Sequence, residues 1–470
     1  MKELTKSYKE LTNWMVKNPE EVVKQRQEFQ ERVIKKRCFY GNSAMPTTLM
    51  PLFLKQKSLN LIKYACEVAD TIIERALGLY ETDDYVREYF ALHPSIPREW
   101  INIDPGYKKT TIINRLDILF DGKNLRFVEF NTDNPGGRGW TDIYEELYKE
   151  NSMYKGLIEE FAVPTDRNIV KGEFDAMMSC FKEMGIKDNP RLALVDFSTA
   201  GSRGDVEIIR DYFIEKGVEA NIIDGRDFEY RNGHLYSNGV KFNMLHRGMR
   251  SEFFLRYPKE LRDFHKGIRD QSACLVNSFK ATLGSEKTML SFLSNPVNHH
   301  YFTEEQVKVI KKHIPWTRKF DETITMSKDG EEVTLKSYMM QKREELVIKP
   351  ATGAGGYGVM VGRSSDPMKW NDVVESYAGD PGWIVQEYAD IPQVKLPVIK
   401  KNKVVFENKY LNISPYVFNG KYVGALGRVS DKDVINVSSG GGIIPIFGIK
   451  HEEDSSSEAD ITVEKREEES

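Results

Sequence analysis

The segment Asn114 to Gly137, NRLDILFDGKNLRFVEFNTDNPGG, leaves few choices of fold. Two alternating apolar runs flank Asp121-Gly122-Lys123-Asn124 and read as the arms of a β-hairpin. A turn with an odd number of residues pairs Leu116 with Phe130 and Ile118 with Val128, which makes one face apolar. The opposite face then sets Arg115 against Asn131 and Asp117 against Glu129. An even turn mixes the two faces, and because a one-residue slip flips every side chain, the pattern favours the odd turn. Two carboxylates directly opposite lie about 5 Å apart at Cβ. At an effective dielectric of about 20 their repulsion is roughly 3 kcal/mol. The pair is tolerable if a cation offsets it or one acid holds a proton. Asp117, Glu129 and the Asn131 carbonyl are hard oxygen donors that suit Mg²⁺ shared with a substrate phosphate. A solvated polar face beside Arg115 and Arg126 is the competing reading.

A second constraint is LVIKPATGAGGYGVMVGR, Leu346 to Arg363, in which Gly353, Gly355 and Gly358 spell G-x-G-x-x-G. A dinucleotide-binding turn needs a strand before the glycines and a helix opening directly on them. Glu345 to Lys349 supplies the strand, but Val359, Met360, Val361 and Gly362 form a second β-type run, so the glycines are expected at the tip of a hairpin.

Around these segments the chain divides. Residues 1–109 are helical in pattern, with the stripe Leu59, Ile62, Ala65, Val68, Ala69, Ile72, Ile73 and Ala76. The hairpin belongs to 110–160. Within 161–275, RLALVDF, a helix from Gly204 to Lys216 and EANIID make a Rossmann-like βαβ unit, with Ser198 to Gly204 at the strand end where such sheets bind ligands. Helices are expected from Pro258 to Asn295, from Thr303 to His313 and near Trp370 to Tyr377, and strands from there to Ile449, completing 276–450. Residues 451–470 are acidic and poor in large apolar groups, as in a disordered tail.

The net charge of −4 gives no basic excess for nucleic acid, and no run is long and apolar enough for a membrane span. Cys38, Cys66, Cys180 and Cys274 are scattered, without a C-x-x-C pair, which reads as buried thiols in a reducing cytoplasm. The histidines form no zinc pattern.

R-x-D, then E-x-N twelve residues after the Asp, then a Pro-Gly turn, resembles the metal-binding segment of ATP-grasp enzymes. VIKP with its glycine loop resembles their phosphate-covering hairpin, and WIVQEY, Trp383 to Tyr388, the strand and hinge that hold adenine. Here the metal segment precedes the glycine loop by more than two hundred residues, the reverse of the common order. The order is similar to that of the circularly permuted ATP-grasp branch, which includes the synthetase domain of glutathionylspermidine synthetase. NSFKATLGSEKTMLSFL, QEYADIP and the Arg, Asn and glycine-rich turn of Gly424 to Pro445 extend the likeness over roughly residues 110–450.

The resemblance implies an α/β (α+β) fold: a circularly permuted ATP-grasp with a Rossmann-like pre-ATP-grasp domain and a helical N-terminal region. It implies ATP and Mg²⁺ as cofactors. Lys287 and Lys349 would neutralise phosphates, and Gly353, Gly355, Gly356 and Gly358 would close over them. Gln386, Glu387 and Tyr388 would receive adenine and ribose, and Asp117, Glu129 and Asn131 would hold the metal. Arg115 and Arg428 would stabilise the phosphoryl group in transfer. The implied reaction joins a small-molecule or peptide carboxylate to an amine through an acyl phosphate, in the cytoplasm, with a homodimer as the fold-level expectation. The missing amidase domain, and Ala354 and Gly355 where an arginine is expected, turn the reading from glutathione and spermidine toward an amino-acid or peptide ligase. The competing classes are an ATP-grasp phosphotransferase and an inactive nucleotide-binding module. Ser198, Ser202, Arg203, Arg247 and Arg250 are candidate anion contacts of the acceptor region.

Overall fold

Alternation of apolar and polar residues builds the central hairpin from Ile113–Phe120 and Leu125–Asn131, and the register is partly the expected one: Arg115 faces Asn131, Leu116 faces Phe130 and Asp117 faces Glu129. The turn, however, is even, with Phe120 paired to Leu125, and the odd residue sits inside the strand. A register shift after Asp117 pairs Ile118 with Phe127 instead of Val128. A bulge of this kind reconciles an even turn with one apolar face, because the extra residue restores the alternation. Leu116, Ile118, Phe127 and Phe130 are all buried, while Val128 lines the cavity described below. The computed structural model describes residues 2–41, 43–91, 96–163, 168–197, 203–353, 356–433, 435, 441–450 and 463–464.

The hairpin is extended into a large antiparallel sheet by the long strand Lys403–Phe418, which pairs Ile413 with Ile118 and Tyr416 with Arg115. Gln393–Lys400, Lys421–Ser430 and Gly442–Ile444 continue it. The short pair Val463–Glu464 beside Gln393–Val394 is the described part of the segment read as a disordered tail; the rest of that segment lies outside the described residues. Against this sheet packs the helix Gln56–Thr82, whose stripe of Leu59, Ile62, Ala65, Ala69, Ile72, Ile73 and Ala76 is buried, with Val68 half-covered. Its Asp70 accepts hydrogen bonds from Asn114 Nδ2 at 2.6 Å and Lys109 Nζ at 2.6 Å, fixing the helix to the start of the hairpin. Burial pushes this carboxyl up to about 6 even so. The strand Leu52–Leu54 runs parallel to Ile446–Gly448, joining the N-terminal layer to the end of the globular part.

The βαβ unit is present as read: Arg191–Val195, the helix Arg203–Glu215 and Glu219–Ile223, with the two strands parallel. Met244–Arg247 and Cys274–Val276 complete a four-stranded parallel sheet. The second of these corrects the expectation of helices alone from Pro258 to Asn295, where Arg262–Arg269 is followed by the strand and then by short helices at Thr282–Ser285 and Thr288–Ser294. Three residues buried on every side carry no periodicity that distinguishes strand from helix.

A third sheet has Thr317–Lys319, Trp383–Glu387, Leu346–Pro350 and Met360–Val361 as neighbours, all antiparallel. It has its own core, which includes Trp316, Leu335, Met339, Ile348, Trp370 and Val385. The glycines therefore do follow a hairpin geometry, with Ile348 paired to Met360 across the turn. The four cysteines are buried and free. Among the described residues no helix is long and apolar enough to cross a membrane.

Candidate active site

The large sheet and the glycine-hairpin sheet face each other across a cavity of about 650 Å³. Asp117 enters it from the first arm of the hairpin. Its Oδ1 accepts from Arg115 Nε at 3.0 Å and its Oδ2 from Arg428 Nη2 at 2.6 Å. Burial alone would raise the Asp117 carboxyl, but the two guanidinium groups outweigh it and hold it below the usual carboxylate range. Arg428 is itself oriented by Asn412 Oδ1, which accepts from its Nη2 at 2.6 Å. Glu129, opposite Asp117, pairs with Lys287 at 3.1 Å. Side-chain cations thus offset the repulsion between the two acids.

Lys349 stands across from these groups at the end of its strand. Its Nζ donates to Gln386 Oε1 at 2.6 Å and reaches Val128 O at 3.4 Å. Removal from water and then the neighbouring Lys287 pull its pKa down from the ordinary lysine value to about 8, with Glu129 opposing. Gln386 is buried and also donates to Thr317 Oγ1 at 3.0 Å, so it positions Lys349 rather than presenting a free amide to a base. Glu387 and Tyr388 line the cavity, but their backbone N–H groups already donate to Trp316 O and Glu345 O, both at 2.7 Å. Lys287 lies between two short helices instead of within one, and its Nζ donates to Gly353 O at 2.9 Å. Gly353 has φ of 93° and Gly358 has φ of 73°, conformations that favour glycine, and a Cβ at Gly358 would meet Pro350 Cγ at 2.7 Å. Gly356 lines the cavity; Gly355 lies outside the described residues.

All three expected metal donors line this space. Among the described residues no cluster of three or more His, Cys, Asp or Glu side chains gathers to hold a metal, so any donor set must draw on the Asn131 amide and on ligand oxygens. The buried Asn131 Nδ2 has no hydrogen-bond partner among the described residues. A flip of the amide would offer its oxygen in the same place. Two carboxylates, one amide and phosphate oxygens fit Mg²⁺, which retains waters and is commonly held by one or two carboxylates together with substrate phosphates.

Of the acceptor candidates, Arg250 lines the cavity. Arg247 is buried and bonded to Asp133, Asn277 O and Ser278 O, a structural role, and Arg203 pairs with Asp196 at 3.5 Å. Ser198 and Ser202 lie outside the described residues. Asn412, Trp140, Met249 and Phe253 also line the cavity and were not singled out in the sequence. Asn412 alone left a trace there, as a polar residue in the apolar strand LNISPYVF.

No family model matches the chain. An uncharacterized protein of Synechocystis sp. is 22% identical over 404 residues, covering 78% of this chain and 77% of its own length. An uncharacterized protein of Mycobacterium tuberculosis is 30% identical over 125 residues, 23% of this chain and 22% of that protein. Among solved structures, the apo form of a glutathione synthetase-like effector from Globodera pallida superposes with a TM-score of 0.60 at 10% identity, covering 91% of this chain and 97% of that one. A putative gamma-glutamylcysteine synthetase from Methylobacillus flagellatus gives a TM-score of 0.40 at 13% identity, over 80% and 87% of the two chains. The superposition on the effector establishes the fold. The chain is a mixed α/β protein that shares its fold with this effector, and its likeness to ATP-grasp proteins is a likeness of fold alone.

Proposed function

We propose that the protein is an ATP-dependent, ADP-forming ligase that joins a carboxylate to an amine through an acyl phosphate, with its ATP-grasp elements in circularly permuted order. The observation that carries the reading is one cavity that holds Lys349, Lys287, the Asp117–Glu129 pair and Arg115 together. Leu119, Val128, Val347, Val361 and Ile391 also line it, and with Glu387 and Tyr388 they suit a flat apolar base next to a polar ribose. Lys349 and Lys287 then meet the phosphates as point charges. Magnesium, held by Asp117, Glu129 and Asn131, would neutralise charge on the β- and γ-phosphates.

An oxygen of the acid attacks the γ-phosphorus as the bond to the β,γ-bridging oxygen breaks, giving ADP and an acyl phosphate. The amine nitrogen then attacks the acyl carbon, phosphate leaves with the former carboxylate oxygen, and the nitrogen loses a proton. Arg115 and Arg428 lie beside Asp117, where negative charge on the transferring group can be stabilised. The glycine hairpin, with Tyr357 at 90% exposure, would be the element that closes to keep water from the acyl phosphate.

The test is release of ADP and phosphate from ATP and Mg²⁺ with a panel of carboxylates, with and without amines, and with hydroxylamine as trap. Release coupled to hydroxamate formation is expected. A stable phosphoester would replace the ligase reading by a phosphotransferase.

A further inference from the structure

The Asp117–Glu129 pair shares the cavity with a further group of lining residues. Arg115 Nη1 and Tyr416 Oη both donate to Gly136 O, at 3.1 and 2.8 Å, and so fix the turn that leads into the helix Arg138–Glu150. Beyond that turn the lining changes character. Met45 is 2% exposed, Trp140 5% and Met249 5%, and Phe253 is half-buried; all four line the cavity. Met45 comes from the N-terminal region, which thereby supplies part of the wall.

This end is built to hold its shape. Gly248 to Phe253 follow the end of the parallel strand Met244–Arg247, the side of such a sheet where ligands bind. Gly248 N donates to Val195 O at 2.9 Å. Ser251 donates to both oxygens of Asp133, from N at 2.8 Å and from Oγ at 2.7 Å, and Asp133 is held in turn by the buried Arg247. Asp133 lies two residues after Asn131, so the apolar wall is locked to the strand that carries the candidate metal donors.

Charge separates the ligands that this end can take. Arg115 and Arg428 are paired with Asp117, and Lys287 with Glu129. Among the described lining residues that leaves Lys349, which the ligase reading assigns to phosphate, and Arg250, which borders both the cavity and a small recess shared with Glu129, Asn131 and Gly353. Its own Glu252 already offsets part of its charge. One arginine among two methionines, a tryptophan and a phenylalanine suits a single carboxylate on a bulky apolar group, because a second anion would be desolvated without a partner.

We infer that the acid substrate is a monocarboxylate with a large apolar side chain, packed by Met45, Trp140, Met249 and Phe253, with Arg250 engaging the carboxylate. This assignment rests on the ligase reading. It is tested by ADP release with acetate, butyrate, hexanoate and 3-phenylpropanoate against succinate and glutarate, with hydroxylamine as acceptor. Binding of 3-phenylpropanoate and glutarate without nucleotide is measured in parallel by intrinsic tryptophan fluorescence. The expected result is a rise in kcat/KM of about fourfold per buried methylene, with both dicarboxylates far below hexanoate, and reversal of the order between 3-phenylpropanoate and glutarate in Met249→Lys. Preference for the dicarboxylates, or an unchanged order in Met249→Lys, overturns the apolar assignment and leaves the ligase reading standing. Binding of 3-phenylpropanoate without turnover of any acid overturns the ligase reading and leaves the apolar wall as a binding site for such acids only. Neither turnover nor binding of the apolar acids overturns both.

Discussion

The two walls of the cavity balance their charges in opposite ways. On the large-sheet side, Asp117 is closed in a pair of ion contacts with Arg115 and Arg428 before any ligand arrives. On the glycine-hairpin side, Lys349 has a glutamine and a carbonyl for company, a lysine nearby, and a pKa drawn down to about 8. One wall balances its charge with its own ion pairs; on the other, Lys349 has no acid bonded to it among the described residues. Under the ligase reading, the contrast suits a base that aligns a phosphoryl group and an opposing hairpin that responds to it.

The largest expected effect comes from opening the closed wall. Asp117→Asn leaves two guanidinium groups facing a neutral amide in a buried place and should lower stability by about 3 kcal/mol or more, read as a shifted midpoint in urea unfolding. A stability loss under about 1 kcal/mol would show that the contacts are solvated and the contrast false.

Lys349→Met should act on function and spare the fold. Nucleotide kcat/KM should fall roughly 100-fold, about 2.7 kcal/mol, with stability at pH 7 equal or higher. The pH dependence gives the sign. Between about 8 and the unfolded lysine value the unfolded chain holds the proton more tightly, so the Lys349 contribution to stability rises with pH. ATP affinity should fall over the same window, as the free protein loses the charge that meets phosphate. Urea unfolding and ATP titration at pH 7, 8 and 9 measure both, and parallel trends would sink the assignment. The smallest effect should come from Glu129→Gln. Its partner Lys287 also holds Gly353 O, so stability should change by less than about 1 kcal/mol. The Mg²⁺ concentration for half-maximal turnover should rise about tenfold.

The hairpin register from Arg115 to Asp117 was legible because one apolar face leaves a single pairing that buries Leu116 and Phe130. The bulge at Val128 was not, since turn length and strand register enter the pattern only as a sum. Arg428 as the partner of Asp117 could not be read either, because 311 positions separate them and only the long strand Lys403–Phe418 brings them together. Trp140, Met249 and Phe253 look like ordinary core residues in sequence. They become a cavity wall only when the parallel sheet and the hairpin are set side by side.

The parallel pairing of Leu52–Leu54 with Ile446–Gly448 has a consequence for biosynthesis. A nascent polypeptide emerging from the ribosome carries Leu52, Phe53 and Leu54, fully buried in the finished protein, until synthesis reaches their partner strand at Ile446. Prematurely terminated products would keep that sticky segment uncovered, an address that chaperones and proteases can recognise.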